Sequence, residues 1–340
     1  MSSAKNRQIL LASRPEGEPK ASNFKLNEAE VKGPGDGEVL LKTLWLSLDP
    51  YMRGRMSAAK SYAKPVEPGE VMVGGTVSEV VASNNKQFKP GDIVLSYVGW
   101  QEYALSNGAG LVKLDPSKAP VQTALGVLGM PGMTAYMGLL IIGQPKPNET
   151  VVVAAASGPV GSAVGQIAKI KGARAVGIAG GKEKCEYLIK ELGFDAAIDH
   201  RSPDMAAKLK EACPKGIDVY FENVGGAVWD AVFPLLNDFA RVPVCGIVAH
   251  YNDTALPSGP DRTPALVGAV LRKRLTLRGF IVWDFAAQAP DFYRDMGKWL
   301  AEGKIKHRED VADGLEKAPE AFIGVLKGKN FGKQLVRVAR

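Results

Sequence analysis

The sequence predicts an α/β protein built from a doubly wound parallel sheet and a second, compact β-rich domain. Its 340 residues are long for one hydrophobic core and comfortable for two. Short strand patterns and turns fill the chain from Gln8 to about Leu114, whereas apolar strands alternate with helical stretches after Val151. Because that alternation is typical of parallel sheets, we place the wound sheet in the later part of the chain.

The composition is that of an ordinary globular protein. Hydrophobic residues make up 46% and charged residues 23%, and 43 Lys and Arg stand against 36 Asp and Glu, which gives a net charge of +7. The basic residues are scattered rather than gathered in a block, so they favour phosphate-bearing ligands without predicting a nucleic-acid partner. The cysteines Cys185, Cys213 and Cys245 form no C-x-x-C pair, which argues against a disulfide scaffold and fits a cytoplasmic protein.

Two apolar segments of the sequence resemble targeting or membrane signals. Only Ile9 to Ala12 follow the basic residues near the N-terminus, which is too short for a secretory signal. Ala119 to Pro145 contains no charge and is long enough to imitate a membrane span. Because Gly129-Met130-Pro131-Gly132 interrupts this stretch, we interpret it as a buried connection into the second domain and expect no membrane association.

The β-rich domain carries a corner with functional residue types. Strands are predicted at Glu38–Leu48, Val71–Val81 and Asp92–Tyr97, and Lys89-Pro90-Gly91-Asp92 predicts a type II turn. The first strand ends at Asp49-Pro50, directly before Tyr51. Sites are often built just beyond strand ends, although a tyrosine packed into the core is the plainer interpretation.

A dinucleotide fingerprint lies in the stretch from Val151 to Gly181. Ala156, Gly158 and Gly161 occupy the three marked positions of G-x-G-x-x-G, with alanine in place of the first glycine. Gly158 leaves room for a pyrophosphate, and the free N–H groups of the following helical turn face an anion. The alternative is that these small residues only mark a tight connection, but the strand, helix and second strand in order favour nucleotide binding.

Two further features of this stretch concern the helix and the second strand. Pro159 suits a first helical turn, and Gly161 and Gly165 are expected to let the helix pack closely on its strand. The second strand ends in Gly180-Gly181, followed by lysines, where an NAD site usually carries an acidic residue. Space and positive charge suit the extra phosphate of NADP, although the lysines also fit a solvated helix start.

The rest of the chain continues the alternation. Ligands bind beyond the carboxyl ends of parallel strands, so Asn223 and the segment Cys245 to Tyr251 are candidates by position alone. We predict strands at Ala196–Asp199, Ile217–Glu222, Ala240–Val248, Leu275–Val282 and after Asn330, helices at Asp204–Ala212, Val228–Leu236, Phe292–Glu302 and Leu315–Leu326, and a loop at Thr254–Pro264.

The chain closely resembles a known family over nearly its whole length. The phrases that carry the resemblance are LSLDPYMR, LGMPGMTAYMGL, AASGPVGSAVGQIAKIKG, YFENVGG, CGIVAHYN, LPSGPDR and FIGVLKGKNFGK. They resemble the zinc-independent medium-chain dehydrogenase/reductases, in the branch of prostaglandin and leukotriene reductases, plant alkenal double-bond reductases and bacterial NADPH-dependent curcumin reductases. The PKGIDVYFENVGG stretch and the ending are most similar to the curcumin reductase group.

The resemblance implies a domain plan and a cofactor. Residues 1–125, completed by 310–340, would form a GroES-like domain, and 126–309 would form a Rossmann domain that binds NADPH in the cleft between the two. The matching positions would put Gly158 to Gly161 on the pyrophosphate and Lys184 on the NADP phosphate. His200 stands where many members have a tyrosine, but a histidine can also donate a hydrogen bond to that phosphate, and Arg201 could add positive charge there. The residues that the resemblance assigns to the cofactor are Gly158, Pro159, Val160, Gly161, Gly180, Lys184, His200, Arg201, Asn223, Cys245, Gly246, Ile247, Val248, Tyr251, Phe280, Ile281, Val282 and Asn330.

The sequence lacks the ligands of the zinc-dependent relatives. Where those proteins carry Gly-His-Glu, this chain has Val73-Gly74-Gly75-Thr76, and its only histidines are His200, His250 and His307. No set of three or four ligands has the spacing of a metal site, so we expect a metal-independent protein.

The activity implied by the resemblance is reduction of a carbon–carbon double bond conjugated to a carbonyl. Tyr51, Tyr62 and Tyr251 are the candidate catalytic residues, because a tyrosine hydroxyl remains a hydrogen-bond donor at neutral pH and would stabilise the developing oxyanion. The resemblance also implies a homodimer. A quinone reductase is the alternative enzyme, and a crystallin-like or RNA-binding protein that binds NADPH without turnover is the alternative of another class.

Overall fold

The computed structural model describes residues 5–339, which group into two units. One unit contains the described residues up to Gly126 and from Glu309 onward, and the other is Val127–Arg308. The strands are β1 (Lys5–Leu11), β2 (Phe24–Glu30), β3 (Val39–Ser47), β4 (Thr76–Ser83), β5 (Ile93–Ser96), β6 (Tyr103–Ser106), β7 (Val112–Leu114), β8 (Thr150–Ala154), β9 (Arg174–Ala179), β10 (Ala196–Asp199), β11 (Ile217–Phe221), β12 (Leu236–Val244), β13 (Thr276–Gly279), β14 (Glu309–Asp313) and β15 (Lys333–Arg337).

The helices are α1 (Met52–Arg55), α2 (Met130–Met137), α3 (Pro159–Ile170), α4 (Lys182–Lys190), α5 (Met205–Ala212), α6 (Gly226–Val232), α7 (Thr263–Lys273), α8 (Ala289–Ala301) and α9 (Ala318–Leu326). A π-helix at Gly138–Gly143 continues α2. Short 3-10 helices lie at Ala21–Asn23, Val121–Leu125, Phe233–Leu235, Val248–His250, Val282–Gln288 and Leu315–Lys317.

The unit Val127–Arg308 contains a parallel sheet of six strands in the order β10-β9-β8-β11-β12-β13. Counted within the unit, this is the 3-2-1-4-5-6 order of the Rossmann fold. Alternate residues of β8 belong to different cores: Val151 and Val153 pack in one apolar cluster, and Val152 and Ala154 in another. Both faces of the sheet are therefore covered, and the predicted doubly wound fold is confirmed.

One strand of this sheet lies four residues earlier than predicted. The sequence placed it at Ala240–Val248, but β12 spans Leu236–Val244. Phe239 has φ of 62° inside the strand, and the pairing of β12 with β11 is irregular, which interrupts the pattern that a regular strand would leave in the sequence. The strand ends at Val244 because the N–H groups of Cys245 and Gly246 both turn to the carbonyl oxygen of Glu222.

The second half of the uncharged stretch Ala119–Pro145 is a buried helix. Residues 130–143 form α2 and its π-helical continuation, and every α2 residue except Met130 is buried. Within residues 5–339, no helix is long and apolar enough to cross a membrane. The helix α7 was not predicted, because the Pro- and Gly-rich sequence assigned to a loop runs into its first residues, Thr263 and Pro264.

The other unit is built on a mixed sheet, ordered β14-β15-β3-β4-β5-β7, with β6 also pairing with β3. The last strand, β15, pairs antiparallel with β3, so the C-terminal segment completes the β-rich fold. The predicted turn is present, with Gly91 at φ of 90° and the Asp92 N–H bonded to the Lys89 carbonyl at 3.1 Å. The strand predicted from Val71 begins only at Thr76, because Gly74 packs against the buried Trp100 and Met52 side chains instead.

Candidate functional site

The fingerprint turn between β8 and α3 is shaped to accept a ligand. Gly158 is the N-cap of α3, so no side chain caps the helix, and Pro159 occupies its first turn. A Cβ atom at Gly158 would approach only the Ala155 carbonyl oxygen, at 3.3 Å. Ala155 itself adopts a left-handed conformation with φ of 52°, which costs energy for any residue but glycine. This open, uncapped helix start fits a pyrophosphate.

The other two glycines of the helix serve packing. A Cβ at Gly161 would lie 2.4 Å from the Ala155 carbonyl oxygen and 2.7 Å from the Ala156 Cα, so only glycine allows α3 to pass this close to the turn. Gly165, which we expected to face the strand, instead faces the Phe194 ring, whose Cζ would lie 1.9 Å from an added Cβ. The close approach was predicted correctly, but its partner was not.

A side-chain hydrogen bond joins the two central strands where the strand order reverses. Asn223, just after β11, donates from Nδ2 to the carbonyl oxygen of Ala154, the last residue of β8, at 2.9 Å. The order reverses between these strands, and such a switch point is where doubly wound sheets bind ligands. The structure therefore places Asn223 beside the fingerprint.

Glu222 accepts hydrogen bonds from the backbone of the two segments that follow β11 and β12. Its side-chain Oε1 accepts hydrogen bonds from the N–H groups of Val224 and Gly225 at 2.6 and 2.9 Å, and from the Tyr220 hydroxyl at 2.9 Å. Burial raises the pKa of this carboxyl, and these hydrogen bonds oppose that rise. Its backbone carbonyl accepts the N–H groups of Cys245 and Gly246. Sequence reasoning did not identify Glu222, although it precedes Asn223 in the same motif.

Backbone hydrogen bonds connect the candidate segment Cys245 to Tyr251 with the residues that follow β11. The N–H groups of Val248 and Ala249 bond to the carbonyl oxygens of Asn223 and Val224, at 3.2 and 2.9 Å. Ile247 is exposed, and the Tyr251 hydroxyl would lie 2.8 Å from a Cβ at Gly246, so glycine is needed beneath it. Burial raises the pKa of the Cys245 thiol to about 12, which makes it a packed rather than a reactive cysteine.

The end of β9 is surrounded by basic side chains. Gly180 and Gly181 lie between β9 and α4, whose third residue is Lys184. His200 and Arg201 follow the neighbouring strand β10 and lie beside these glycines. The structure thus brings His200 and Arg201 to the glycine pair, and the charge of Lys184 acts on His200.

The remaining cofactor candidates differ in exposure. Phe280 and Val282 are buried, and the Phe280 ring packs edge-on against Phe221 with centroids 6.2 Å apart, whereas Ile281 is partly exposed. Asn330 belongs to the other unit, where its Nδ2 donates to the Gly332 carbonyl at 2.7 Å.

Tyr51 lies at the predicted corner of the β-rich unit. Burial, and then the charge of Asp49, raise the pKa of Tyr51 well above its ordinary value, so its hydroxyl stays protonated. Tyr62, which is 61% exposed, and Tyr97, which is 49% exposed, also raise the pKa of Tyr51 and therefore lie nearby.

Tyr97 is a neighbour of Tyr51 that the sequence analysis did not name as a candidate. Its ring lies 3.4 Å from the position of a Cβ at Gly75. The signal was its place one residue beyond β5. Tyr251 lies in the other unit.

The described residues contain no group of three or more His, Cys, Asp or Glu side chains placed to hold a metal ion.

Comparison with known proteins gives matches over both units. Residues 7–114 match a family described as "N-terminal domain of oxidoreductase", and residues 159–302 match one described as "Zinc-binding dehydrogenase". The chain is 59% identical over 336 residues to NADPH-dependent curcumin reductase of Escherichia coli (strain K12), covering 98% of this chain and 97% of that protein. It is 43% identical over 326 residues to prostaglandin reductase 1 of Bos taurus, covering 94% and 95%.

A solved structure shows the same fold. The crystal structure of CurA in complex with NADPH from Vibrio vulnificus is 56% identical to this chain and has a TM-score of 0.96. The match covers 98% of this chain and 99% of the solved one. Both the parallel sheet and the β-rich unit therefore have counterparts in an experimentally determined protein.

Proposed function

The chain belongs to the medium-chain dehydrogenase/reductase family, in the branch of the prostaglandin, alkenal and curcumin reductases, and on this premise we propose that it is an NADPH-dependent enone reductase. Its substrates would be α,β-unsaturated ketones and aldehydes of the curcumin type, whose carbon–carbon double bond is reduced. The observation that carries the proposal is the uncapped start of α3 beside Asn223, at the switch point of a fold shared with an NADPH complex.

The residues of the Rossmann unit fit this cofactor. The N–H groups of Val160 and Gly161 lie in the first turn of α3, where they would bind the pyrophosphate. Lys184, His200 and Arg201 would bind the 2′-phosphate, and Asn223 and the Cys245–Tyr251 segment would hold the nicotinamide half. Phe280, Ile281, Val282 and Asn330 complete the proposed set.

When bound, NADPH supplies a hydride to the substrate's β-carbon, and the electron pair of the double bond moves to the carbonyl oxygen as an enolate. A protein hydroxyl that donates to this oxygen stabilises the charge as it develops, and a proton from solvent then reaches the α-carbon. Tyr51, Tyr62 and Tyr251 are the proposed donors. Tyr51 suits the role because its raised pKa keeps the proton on the oxygen.

The proposal is tested by three parallel assays. NADPH oxidation is followed with an enone, with a quinone and with neither, and deuterium from labelled NADPH is traced in the product. We expect oxidation with the enone and deuterium at the β-carbon. Faster turnover of the quinone would favour a quinone reductase, and binding of NADPH without any turnover would favour a non-catalytic protein.

We further propose that the protein is a cytoplasmic homodimer. The strand β13 is an outer strand of the parallel sheet, and Val267 and Leu271 on α7, the helix before it in the chain, are 59% and 76% exposed. An outer strand and exposed apolar side chains both suit contact with a second copy. Sedimentation equilibrium of the chain and of a Val267→Glu, Leu271→Glu variant tests this, and a monomeric parent protein would contradict it.

A further inference from the structure

His200 and Arg201 converge on one point beside the glycine pair that ends β9. A Cβ atom placed on Gly180 would lie 2.8 Å from His200 Nε2 and 3.1 and 3.2 Å from Arg201 Nε and Nη2. A Cβ on Gly181 would lie 3.4 Å from Arg201 Nη1. Both side chains remain accessible to solvent, although His200 is partly covered by its neighbours. Nitrogens of an imidazole and a guanidinium thus face the same space, which the absence of a side chain at Gly180 leaves open.

The backbone that carries these side chains is held in place. Asp199 Oδ1 accepts the N–H groups of Gly181 and Arg201 at 2.8 and 2.9 Å, and the His200 N–H bonds to the Ala179 carbonyl at 3.0 Å. These bonds fix the main chain that carries the two side chains next to the glycine pair.

The charged groups around His200 favour its neutral form. Partial burial, and then the charge of Arg201, lower the pKa of the His200 imidazole, and Lys184 of α4 acts in the same direction. Asp199 of β10 opposes them. A phosphate dianion placed among these groups would raise the pKa of His200, because a nearby negative charge favours the protonated imidazole.

We propose that His200 couples recognition of the 2′-phosphate to proton uptake, so that the preference for NADPH over NADH weakens as the pH rises. The inference rests on the proposed NADPH-dependent function. Arg201 and Lys184 would supply a further part of the preference for the phosphate, which does not depend on the protonation of His200. NADH lacks the phosphate, so its affinity does not depend on His200.

The sign of the pH dependence follows from linkage. Because the imidazole binds its proton more tightly in the complex than in the free protein, the added affinity is complete below the free-state pKa. It is lost as the pH rises through the pKa of the complex. A tyrosine at this position donates a hydrogen bond but does not titrate near neutral pH, so His200→Tyr is the matched variant.

Nuclear magnetic resonance gives a direct test, because the chain has three histidines. The imidazole signals of ¹³C-labelled protein are titrated with pH, and the His200 signal is assigned by its loss in His200→Tyr. The titration is repeated with saturating adenosine 2′,5′-bisphosphate and with 5′-AMP. We expect the pKa of His200 to rise by about one pH unit or more with the bisphosphate and to stay unchanged with 5′-AMP. An unchanged or lowered pKa with the bisphosphate would overturn the inference.

Calorimetry of the same ligands supplies a second readout. Between pH 5.0 and 8.5, the ratio of affinities for the bisphosphate and 5′-AMP should fall by several-fold more, up to about tenfold for a pKa rise of one unit, in the parent protein than in His200→Tyr or His200→Gln. The phosphate's own ionisation affects every variant alike and cancels in this comparison. Equal slopes in the parent and both variants would overturn the inference. If the proposed function is wrong, NADPH is not oxidised in the presence of an enone. The binding measurements do not depend on turnover, so they test the role of His200 separately.

Discussion

The ammonium group of Lys333 lies 2.7 Å from Asp49 Oδ1, and both side chains are almost completely buried in the β-rich unit. Lys333 Nζ also donates to the Leu48 carbonyl at 2.8 Å, and the second carboxylate oxygen of Asp49 accepts a hydrogen bond from the Ser47 hydroxyl. The pair joins the C-terminal strand to the corner that precedes Tyr51. Its two residues are 284 positions apart in the sequence.

Breaking this buried pair should destabilise the protein strongly. Lys333→Met leaves the Asp49 charge without its partner in an apolar environment, and we expect a loss of about 3–5 kcal/mol in the free energy of unfolding. The double variant Lys333→Met, Asp49→Asn should lose less than Lys333→Met alone, because no unpaired charge remains. Urea denaturation measures both.

The control for this prediction is an ion pair on the surface. Lys5 Nζ lies 2.6 Å from Glu28 Oε2, but both side chains are well exposed. Lys5→Met should therefore leave the urea midpoint nearly unchanged. If Lys333→Met had an effect as small as Lys5→Met, the buried pair would not hold the corner.

Lys184→Glu should change the cofactor preference. A charge-assisted hydrogen bond to phosphate contributes about 1.5–3 kcal/mol, so the KM for NADPH should rise about tenfold or more while the KM for NADH changes little. Lys190→Glu is the matched control, because it makes the same change of charge later on helix α4, at a lysine that is not proposed to bind the phosphate. In the parent protein, Lys190 Nζ pairs with Glu186 at 2.9 Å. Equal losses with both cofactors would show that Lys184 supports the fold instead.

Gly161→Ala should weaken binding of both cofactors alike. The added Cβ would lie 2.4 Å from the Ala155 carbonyl oxygen, so the turn that is proposed to bind the pyrophosphate common to NADPH and NADH must shift. We expect a destabilisation of about 1–3 kcal/mol together with weaker binding in calorimetry. A variant that keeps its stability and binds NADPH as the parent does would show that the turn tolerates the methyl group.

Gly297→Ala is the control for the glycine prediction. Gly297 lies within α8, and apart from its chain neighbours and the helix's own backbone no atom lies within 4 Å of the position of an added Cβ. The substitution should stabilise the protein by about 0.5–1 kcal/mol and leave cofactor binding unchanged.

Activity should not depend on a metal ion. The Val73-Gly74-Gly75-Thr76 stretch offers no zinc ligand where zinc-dependent relatives carry Gly-His-Glu. Purified protein should contain zinc far below stoichiometry, and a chelator should leave NADPH-dependent turnover unchanged. Stoichiometric zinc whose removal abolishes turnover would overturn this interpretation.

The sequence predicted those parts of the fold that depend on local pattern. The apolar run of β8 and the glycines after it define a strand, turn and helix within one short stretch, so the Rossmann unit was predictable. The strand β12 was misplaced because the left-handed Phe239 breaks its pattern, and α7 was missed because its start is rich in proline. Both failures arise where local sequence does not show the chain's tertiary environment.

The residues of the candidate site were likewise predictable only where a local sequence pattern marks them. Asn223 was predictable by position, because it directly follows a buried strand of a parallel sheet. The convergence of His200 and Arg201 on Gly180 was not, because it depends on the pairing of β10 with β9. The bond from Lys333 to Asp49 joins distant segments, and no local pattern marks it.

The tyrosines are tested by removing one hydroxyl at a time. Phenylalanine keeps the ring and its packing, so any effect of Tyr51→Phe, Tyr62→Phe or Tyr251→Phe should be kinetic rather than structural. Loss of a donor to the developing oxyanion costs about 2.7–4 kcal/mol, roughly a hundredfold or more in kcat, whereas a tyrosine that only packs should show little change. Tyr97→Phe belongs in the same series, because Tyr97 lies near Tyr51.

Tyr293→Phe is the control for this series. Tyr293 lies on α8, is 48% exposed and packs against Phe292, so its hydroxyl has no assigned role. It should reduce a conjugated ketone at the parent rate, and at least one of the other variants should fall well below it. Suppose that all of them match the parent while deuterium from labelled NADPH still reaches the β-carbon. Hydride transfer would then stand, but the oxyanion would be stabilised by groups other than these tyrosines.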